Sequence, residues 1–363
     1  MIFIQQSMAL SGRAGLYKGK LDAKEYKVNL IYQVFTALLC VLAVSGAAAQ
    51  TAEAKARLKA LKPADYPAKT IELGVGFAAG GAMDLVARQL AQKFQDYTGD
   101  NMVVQNRPGA GGLVFNRWLL TQASTDGYAI GLGNNMIIGD SLLRADNKWS
   151  YHDLDSLAFI SYEPVLWFTS SSGRFKNQPL SEIIKFAKKE KAEVRVGTIA
   201  ATLIETLTEQ VEQKAGVSFN QIPFNGGKPS IAALMGDHID ISFGFMGEVR
   251  GMGDKVKTVA VASQKPIAAL PGVPTFNAVF NADDMNWVIW RYIVAPKGMA
   301  PARRAWLIAV FNEMMKDPQL NSDLEKNGGI QDASIDTPAK VSAELDKLAA
   351  AERKFYVQTG RLK

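Results

Sequence analysis

Two short glycine-rich turns most constrain what this chain can fold into. Residues 76–84 and 106–112 each lie between a strand-like apolar run and a stretch with helical spacing. Glycine has no Cβ, so at such a turn it leaves backbone N–H groups open at the positive end of the helix dipole. The pattern therefore predicts a cradle for an anion, either a carboxylate or a phosphate.

Strand and helix signals alternate along the chain from Tyr66 onward. Between Met83 and Tyr97, apolar residues recur with the period of a helix. We predict further helices at 180–191, 203–214, 302–315 and 342–357, and strands at 128–133, 157–169, 194–198, 219–223, 239–245, 258–262 and 287–296. This alternation implies βαβ units and an α/β fold with a mainly parallel sheet.

Several segments of the sequence match one known family of receptors. They are Tyr66-Pro67, 77–84 with Ala87-Arg88, 106–112 and 126–128. Together they closely resemble the solute-binding proteins of tripartite tricarboxylate transporters, the Bug-type receptors. The run Asn106–Gly112 is the most specific match, and further echoes continue to near residue 330.

The resemblance implies the fold of a type II periplasmic binding protein. In that fold two α/β lobes are joined by two crossover strands, with a ligand cleft between the lobes. Here the crossovers would lie near Glu163–Phe168 and near Trp290–Val294. The first lobe would then hold residues 66–165 and 291–363, and the second lobe would hold residues 166–290.

The first 49 residues have the order of a signal peptide. Several lysines precede an apolar segment, Leu30–Val44, and Ala47–Ala49 supplies small residues for cleavage before Gln50. The apolar segment is short for a membrane span, which needs about 20 residues. We therefore expect export to the periplasm, with an uncleaved anchor as the alternative.

Cleavage at this point would also remove the one cysteine of the chain, Cys40. The mature protein would then have neither a disulfide nor a thiolate for chemistry. Residues 50–65 form a charged, alanine-rich lead-in to the fold. Residues 1–27 are longer and more mixed than a usual signal-peptide start, which suggests a true translation start further along the chain.

Charge and catalytic motifs narrow the function classes. The formal net charge of +6 comes from scattered lysines and arginines, so we expect no nucleic-acid partner. The two histidines, His152 and His238, have no metal-ligand spacing to a partner. No Gly-x-Ser-x-Gly elbow occurs, and we expect neither an enzyme nor a cofactor.

A dinucleotide site is one alternative for the first turn, because Gly74–Ala79 also fits the pattern GxGxxA after a strand. Such a site needs an acidic residue at the end of the next strand to hold the ribose. Here that strand ends in Gln105-Asn106-Arg107, without a carboxylate. The missing acid argues against a nucleotide ligand.

The resemblance implies that the first turn wraps the carboxylate of a small acid. Carried over to this sequence, the residues around the ligand are Phe77, Ala78, Ala79, Gly80 and Gly81. The Asp84 side chain would fix the turn, although a helix first-turn acid is also stabilised by the helix dipole. We include it among the candidate ligand-binding residues.

Further candidates lie at strand ends that would face the cleft. Asn134 follows the strand 128–133, where polar contacts to a ligand and ordinary turn chemistry are both open interpretations. In the second lobe, Thr198 and Thr202 remain as hydroxyl donors. The turn at Phe224, Asn225 and Gly226 matches the family's Tyr-Lys-Gly-Gly turn, with asparagine in place of lysine.

The second lobe departs from the family pattern near the expected ligand. Residues 199–205 lack the family's additional glycines and histidine and instead bring Glu205 close to the turn. A second carboxylate on the ligand would meet this acid. It would also find Asn225 where the family has a positively charged lysine. We therefore expect a preference for a monocarboxylate or a ligand with an uncharged or apolar tail.

These observations predict a monomeric periplasmic receptor that closes two lobes around a small organic carboxylate. It would deliver this ligand to the membrane subunits of a tripartite tricarboxylate-type transporter. A periplasmic sensor that presents the same lobes to a signalling partner is an alternative. An exported α/β enzyme is another.

Overall fold

The computed structural model describes residues 51–144, 149–190 and 193–363. The predicted signal peptide, residues 1–49, lies outside the described residues. Residues 51–61, within the predicted lead-in, are helical. In the described ranges no helix is both long enough and apolar enough to cross a membrane.

The described elements alternate as the sequence predicted. The strands β1 to β10 are Ile71–Val75, Met102–Asn106, Ala129–Asn134, Leu154–Pro164, Leu166–Ser170, Arg195–Thr198, Asn220–Pro223, Ser242–Gly244, Val256–Val261 and Val288–Pro296. The helices α1 to α11 are Ala82–Thr98, Leu113–Thr121, Met136–Leu143, Leu180–Glu190, Leu203–Ala215, Gly227–Met235, Met246–Met252, Phe276–Phe280, Pro301–Met314, Pro318–Lys326 and Pro338–Gln358.

The first sheet has five strands in the order β2-β1-β3-β10-β4. Strand β1 pairs in parallel with β2 and β3, whereas β10 is antiparallel to both β3 and β4. Because β1 and β2 are parallel neighbours, the two glycine-rich turns that follow them lie at the same edge of the sheet. A backbone hydrogen bond of 2.8 Å from Arg107 N to Val75 O joins the two turns.

The sheet of the second lobe has the same arrangement of parallel and antiparallel neighbours as the first sheet. Strands β6 and β7 pair in parallel, and β5 lies between β8 and β9 in antiparallel pairings. A parallel bridge between Val196 and Ile241 joins the two groups, which gives the order β7-β6-β8-β5-β9. Two α/β lobes with this shared order form the expected type II binding-protein fold.

The prediction of a mainly parallel sheet is confirmed, because four strands of each sheet run in one direction. In each lobe one strand arrives from the other lobe and runs against its neighbours: β10 in the first sheet and β5 in the second. Alternation of strands and helices along the sequence cannot show this. A strand that enters its sheet from the other lobe runs against its neighbours, and the sequence pattern does not mark where the chain crosses between lobes.

The chain changes lobes at two adjacent places. Strand β4 ends at Pro164 and β5 begins at Leu166, while β10 joins the first sheet from Val288. Between them, Val165 N donates to Trp287 O over 3.0 Å. The lobe limits at 165 and 290 stay predictions, and the strand pairings support a second crossover slightly ahead of Trp290.

The last helix, α11, connects the two lobes a third time. It begins after Thr337, whose side chain caps the helix, and packs on β4 and α3 of the first lobe. Near its end, the hydroxyl of Tyr356 lies 2.9 Å from Thr206 Oγ1 of the second lobe. Beyond the helix, Arg361 pairs with Glu205 over 2.7 Å. The C-terminal segment therefore braces the closed arrangement of the lobes.

Helices α3, α7, α8 and α10 have no counterpart among the sequence predictions. The first five residues of α3, Met136–Asp140, are all buried. A helix that is buried on every side shows a continuous apolar run rather than a stripe of period 3.6. Helix α7 has only seven residues, too few for a period to be recognised.

Candidate ligand-binding cleft

A cavity of about 80 Å³ lies between the first glycine-rich turn and the second-lobe turn at residues 224–229. Five of the predicted ligand-binding residues line it: Phe77, Ala78, Gly81, Asn225 and Gly226. The cleft is thus formed by both lobes, at the ends of strands β1 and β7.

A buried network holds the first turn in shape. Asp84 is 2% exposed, and its Oδ2 accepts hydrogen bonds from Gly80 N at 2.7 Å and from Arg88 Nε at 2.9 Å. Its Oδ1 accepts from Asn106 Nδ2 at 3.0 Å, and the same amide donates to Phe77 O. The hydrogen bonds of Asp84 lower its pKa against the opposing effect of burial, which keeps this carboxylate charged beneath the turn.

The second glycine-rich turn supports the first and touches the other lobe. Arg107 forms an ion pair with Glu72, and its guanidinium lies over the Trp118 ring at 3.6 Å. These first-lobe contacts hold the guanidinium outside the cavity wall. Gly111 has a φ of 68°, and a Cβ there would lie 2.6 Å from Ile199 Cγ2 of the second lobe. Glycine is required here by both backbone conformation and space.

Hydrogen bonds cross the cleft directly. Lys228 Nζ donates to Ala79 O at 2.9 Å, and Asn225 Oδ1 accepts from Ala110 N at 3.2 Å. Each bond joins a second-lobe side chain to a first-lobe turn. The two lobes are therefore closed on each other in this structure.

The remaining predicted residues lie outside the wall of the cavity. The Asn134 side chain accepts from Met136 N at 2.9 Å and so caps its own turn. Thr202 is fully buried, and its hydroxyl donates to Ile199 O at 2.8 Å while it caps α5. Thr198 is 1% exposed, and Phe224 packs against an apolar cluster of the second lobe. Ligand contacts by these residues, and by Ala79, Gly80 and Asp84, stay predictions.

The acid in the cavity wall, Glu248, was not predicted. Its Oε2 accepts from Phe245 N at 3.1 Å at the start of α7. Burial raises the pKa of the Glu248 carboxyl to about 7, although the N–H groups of Phe245 and Ala82 oppose the rise. The sequence signal was indirect: β8 ends at Gly244, and an acid follows one turn later.

A buried ion pair lies next to this part of the cleft. Arg291 Nη2 donates to Glu163 Oε2 at 2.6 Å, and the two side chains are 1% and 2% exposed. Glu163 Oε1 also accepts from Met246 N at 2.7 Å, and Arg291 lies over the Phe245 ring at 5.5 Å. Burial raises the pKa of Glu163, and the Arg291 charge opposes that rise.

Comparison with known proteins identifies the family. A profile described as the tripartite tricarboxylate transporter family receptor matches residues 86–352. This chain belongs to that family.

One relative matches most of this receptor in sequence, and two solved structures match most of it in fold. Protein BugT of Bordetella pertussis (strain Tohama I) is 28% identical over 257 residues, which are 69% of this chain and 78% of BugT. The periplasmic binding protein BugD has a TM-score of 0.74 and 24% identity, and the match covers 82% of this chain and 100% of BugD. MatC of Rhodopseudomonas palustris, with bound malate, has a TM-score of 0.73 and 20% identity over 80% of this chain and 99% of MatC.

One expectation about this receptor's specificity is wrong in its choice of residue. Glu205 lies outside the cavity wall, where its Oε2 accepts from Ala201 N at 2.9 Å and from Arg361 Nη2 at 2.7 Å. Its charge is therefore compensated. The sequence could not reveal this pairing, since 156 positions separate the two partners.

The dinucleotide alternative finds no support in the receptor fold. In the first sheet, antiparallel β10 separates β3 from β4, whereas the dinucleotide-binding fold continues with parallel strands. The end of β2 carries Asn106 and Arg107, which brace the two glycine-rich turns. In the part of the chain that the structure describes, no group of three His, Cys, Asp or Glu side chains could hold a metal ion.

Proposed function

We propose that this receptor captures a small organic carboxylate in the periplasm and delivers it to the membrane subunits of a tripartite tricarboxylate transporter. The observation that carries the proposal is the position of the α1 N-terminus. Helix α1 has 17 residues, and its first residues, Ala82 and Met83, line the cavity beside Gly81. The positive end of the dipole of such a helix stabilises an anion.

The closed lobes support capture rather than simple surface binding. The hydrogen bonds from Lys228 and to Asn225 exist only when the lobes meet, so a ligand held between them would be coupled to closure. Both walls of the cleft come from one chain, which supports a receptor that acts as a monomer. The malate in the MatC structure supports a carboxylate as the ligand class.

Binding can be tested with a panel of carboxylates that includes malate, adipate and pentanoate. A ligand at about 100 times its dissociation constant adds about 2.7 kcal/mol to the free energy of unfolding, which raises the melting temperature measurably. We expect at least one member to stabilise the protein and to show saturable binding in calorimetry. Absence of binding across mono-, di- and tricarboxylates would contradict the proposal.

Export is the second part of the proposal. The lysine-rich, apolar and small-residue regions of residues 1–49 support cleavage near Gln50. N-terminal sequencing of protein released from the periplasm checks this expectation. Recovery of the intact segment in the membrane would instead support the anchor alternative.

A further inference from the structure

The Glu248 carboxylate occupies a space that the surrounding backbone leaves free for it. A Cβ at Gly227 would lie 2.9 Å from Glu248 Oε1, and a Cβ at Gly244 would lie 2.9 Å from Oε2. Both distances are shorter than real Cβ contacts, so glycine at each position makes room for the carboxylate. The N–H of Ala82, the first residue of α1, also acts on this group as a hydrogen-bond donor. The acid of the second lobe thus lies at the anion-binding turn of the first.

This carboxylate has no cation of its own. Among the described residues, no lysine or arginine nitrogen lies within 4 Å of it in an ion pair. Arg291 acts on it from a distance, but its guanidinium is hydrogen-bonded to Glu163, whose negative charge opposes the effect. The carboxylate accepts from two backbone N–H groups but has no counter-charge in contact within the described ranges, so its remaining lone pairs favour a ligand group that is positively charged and donates hydrogen bonds.

Lys228 provides the opposite charge in the same cavity. It is exposed, and its ammonium group uses one hydrogen on Ala79 O, which leaves two for a ligand. In the described part of the chain, Lys228 and Glu248 are the charged residues of the cavity wall, and the remainder includes Phe77, Met83 and Phe243. The cavity therefore presents one positive and one negative group separated by apolar walls.

We infer that Glu248 determines the specificity of this cleft, by selecting a ligand that carries one carboxylate and, at its other end, an ammonium group. This inference rests on the proposed function. The ligand carboxylate binds Lys228 beside the first-lobe turn, and the ammonium group donates to Glu248. A second carboxylate at that end meets a like charge in a desolvated site and is rejected.

Three probes that differ only at one end test this inference. Pentanoate, 4-aminobutanoate and glutarate share a carboxylate and three methylene groups, and they end in a methyl, an ammonium and a carboxylate group. With the purified protein in calorimetry, we expect 4-aminobutanoate to bind at least tenfold more tightly than pentanoate. Glutarate should bind most weakly of the three.

The variant Glu248→Gln keeps the shape of the side chain and an oxygen that can accept from Phe245 N, but removes the charge. It should lose the tenfold preference for 4-aminobutanoate and gain affinity for glutarate. Glu325→Gln, at an exposed acid outside the cleft, is the matched control and should keep the wild-type order. Circular dichroism and melting temperature confirm that both variants are folded.

A pH series gives a second readout. The groups that act on Glu248 are Glu163 on β4, Arg291 on β10 and the N–H groups of Phe245 and Ala82. Binding of 4-aminobutanoate by the wild type should strengthen severalfold as pH rises through about 7, where Glu248 becomes charged. The Glu248→Gln protein should show a flat profile across the same range.

The outcomes separate this inference from the proposed function. If the three probes bind the wild type and Glu248→Gln in the same order, the inference is overturned while carboxylate binding stands. If malate or adipate binds but none of the three probes does, the inference is likewise overturned and carboxylate binding stands. Failure of every carboxylate to bind either protein overturns both.

Discussion

Arg291 Nη2 and Glu163 Oε2 lie 2.6 Å apart at the junction of the lobes, on the neighbouring strands β10 and β4. Both side chains are almost fully buried. The pair has a neighbour in the cleft, because Arg291 lies over Phe245 and Glu163 accepts from Met246 N. Both members of the buried ion pair therefore contact the start of α7, the helix that carries Glu248.

This relationship predicts a large loss of stability when one partner is removed. Glu163→Gln leaves the Arg291 guanidinium buried without its counter-charge, and we expect the free energy of unfolding to fall by about 3–5 kcal/mol. The double variant Glu163→Gln/Arg291→Met should recover part of the loss, because no uncompensated charge remains. Urea unfolding of the single and double variants measures both. Equal losses in the two proteins would contradict this account.

Gly80 offers a test of the first-lobe turn with a matched control. Gly80 and Gly99 have similar left-handed φ values of 73° and 77°, but a Cβ at Gly80 would lie 2.6 Å from Lys228 Nζ. Within the described ranges, and apart from its chain neighbours, a Cβ at Gly99 would meet no heavy atom within 4 Å. Alanine at either position should cost about 1 kcal/mol of stability from backbone strain. Only Gly80→Ala should also weaken binding of the tightest panel carboxylate, by about tenfold or more in calorimetry. A Gly80 variant with wild-type affinity would show that the ligand is not held by this turn.

Lys228 is predicted to act on closure and binding rather than on folding. Lys228→Ala removes the hydrogen bond to Ala79 O across the cleft, so the dissociation constant of the tightest panel carboxylate should rise about tenfold. The free energy of unfolding should change by less than about 0.5 kcal/mol, because the side chain is exposed. Lys188→Ala, at an exposed lysine of α4, is the control and should leave affinity unchanged. A change in stability without a change in affinity would oppose this role.

Stability should fall as pH rises from mildly acidic to mildly basic values. Burial raises the pKa of Glu352 from 4.5 to about 8, and the group faces Tyr356, which donates to it at 3.0 Å. Between these two values the folded protein binds a proton that the unfolded chain has lost, so the contribution of Glu352 to stability is greatest below 4.5 and declines as pH rises through about 8. The decline should reach about 1.4 kcal/mol per pH unit for a fully linked group.

The variant Glu352→Gln isolates this contribution. Glutamine keeps an oxygen that can accept from Tyr356 but has no proton to lose, so the decline of stability with pH should become shallower by up to the same slope. Glu248 acts in the same direction up to about pH 7, so some slope should remain. Urea unfolding at several pH values between about 5 and 8 measures the difference. Identical slopes in the wild type and the variant would rule out Glu352 as the linked group.

The glycine-rich turns and the alternation of elements were readable from the sequence because they depend on local chemistry. Gly80 and Gly111 have left-handed φ values that glycine tolerates, and the stripe within α1 has the period of a helix. These features, together with the family resemblance, were enough to predict two lobes and an anion-binding turn. Five of the residues predicted in this way to bind the ligand line the cavity.

The charges of the cleft were decided by tertiary structure alone. Glu205 was expected to face the ligand, but the C-terminal segment returns to the second lobe and places Arg361 beside it. Glu248 was not expected, because its position depends on how far the two lobes close and on the space left at Gly227 and Gly244. Local sequence determines which backbone conformations are allowed, whereas the environment of a charge depends on contacts between residues far apart in the chain.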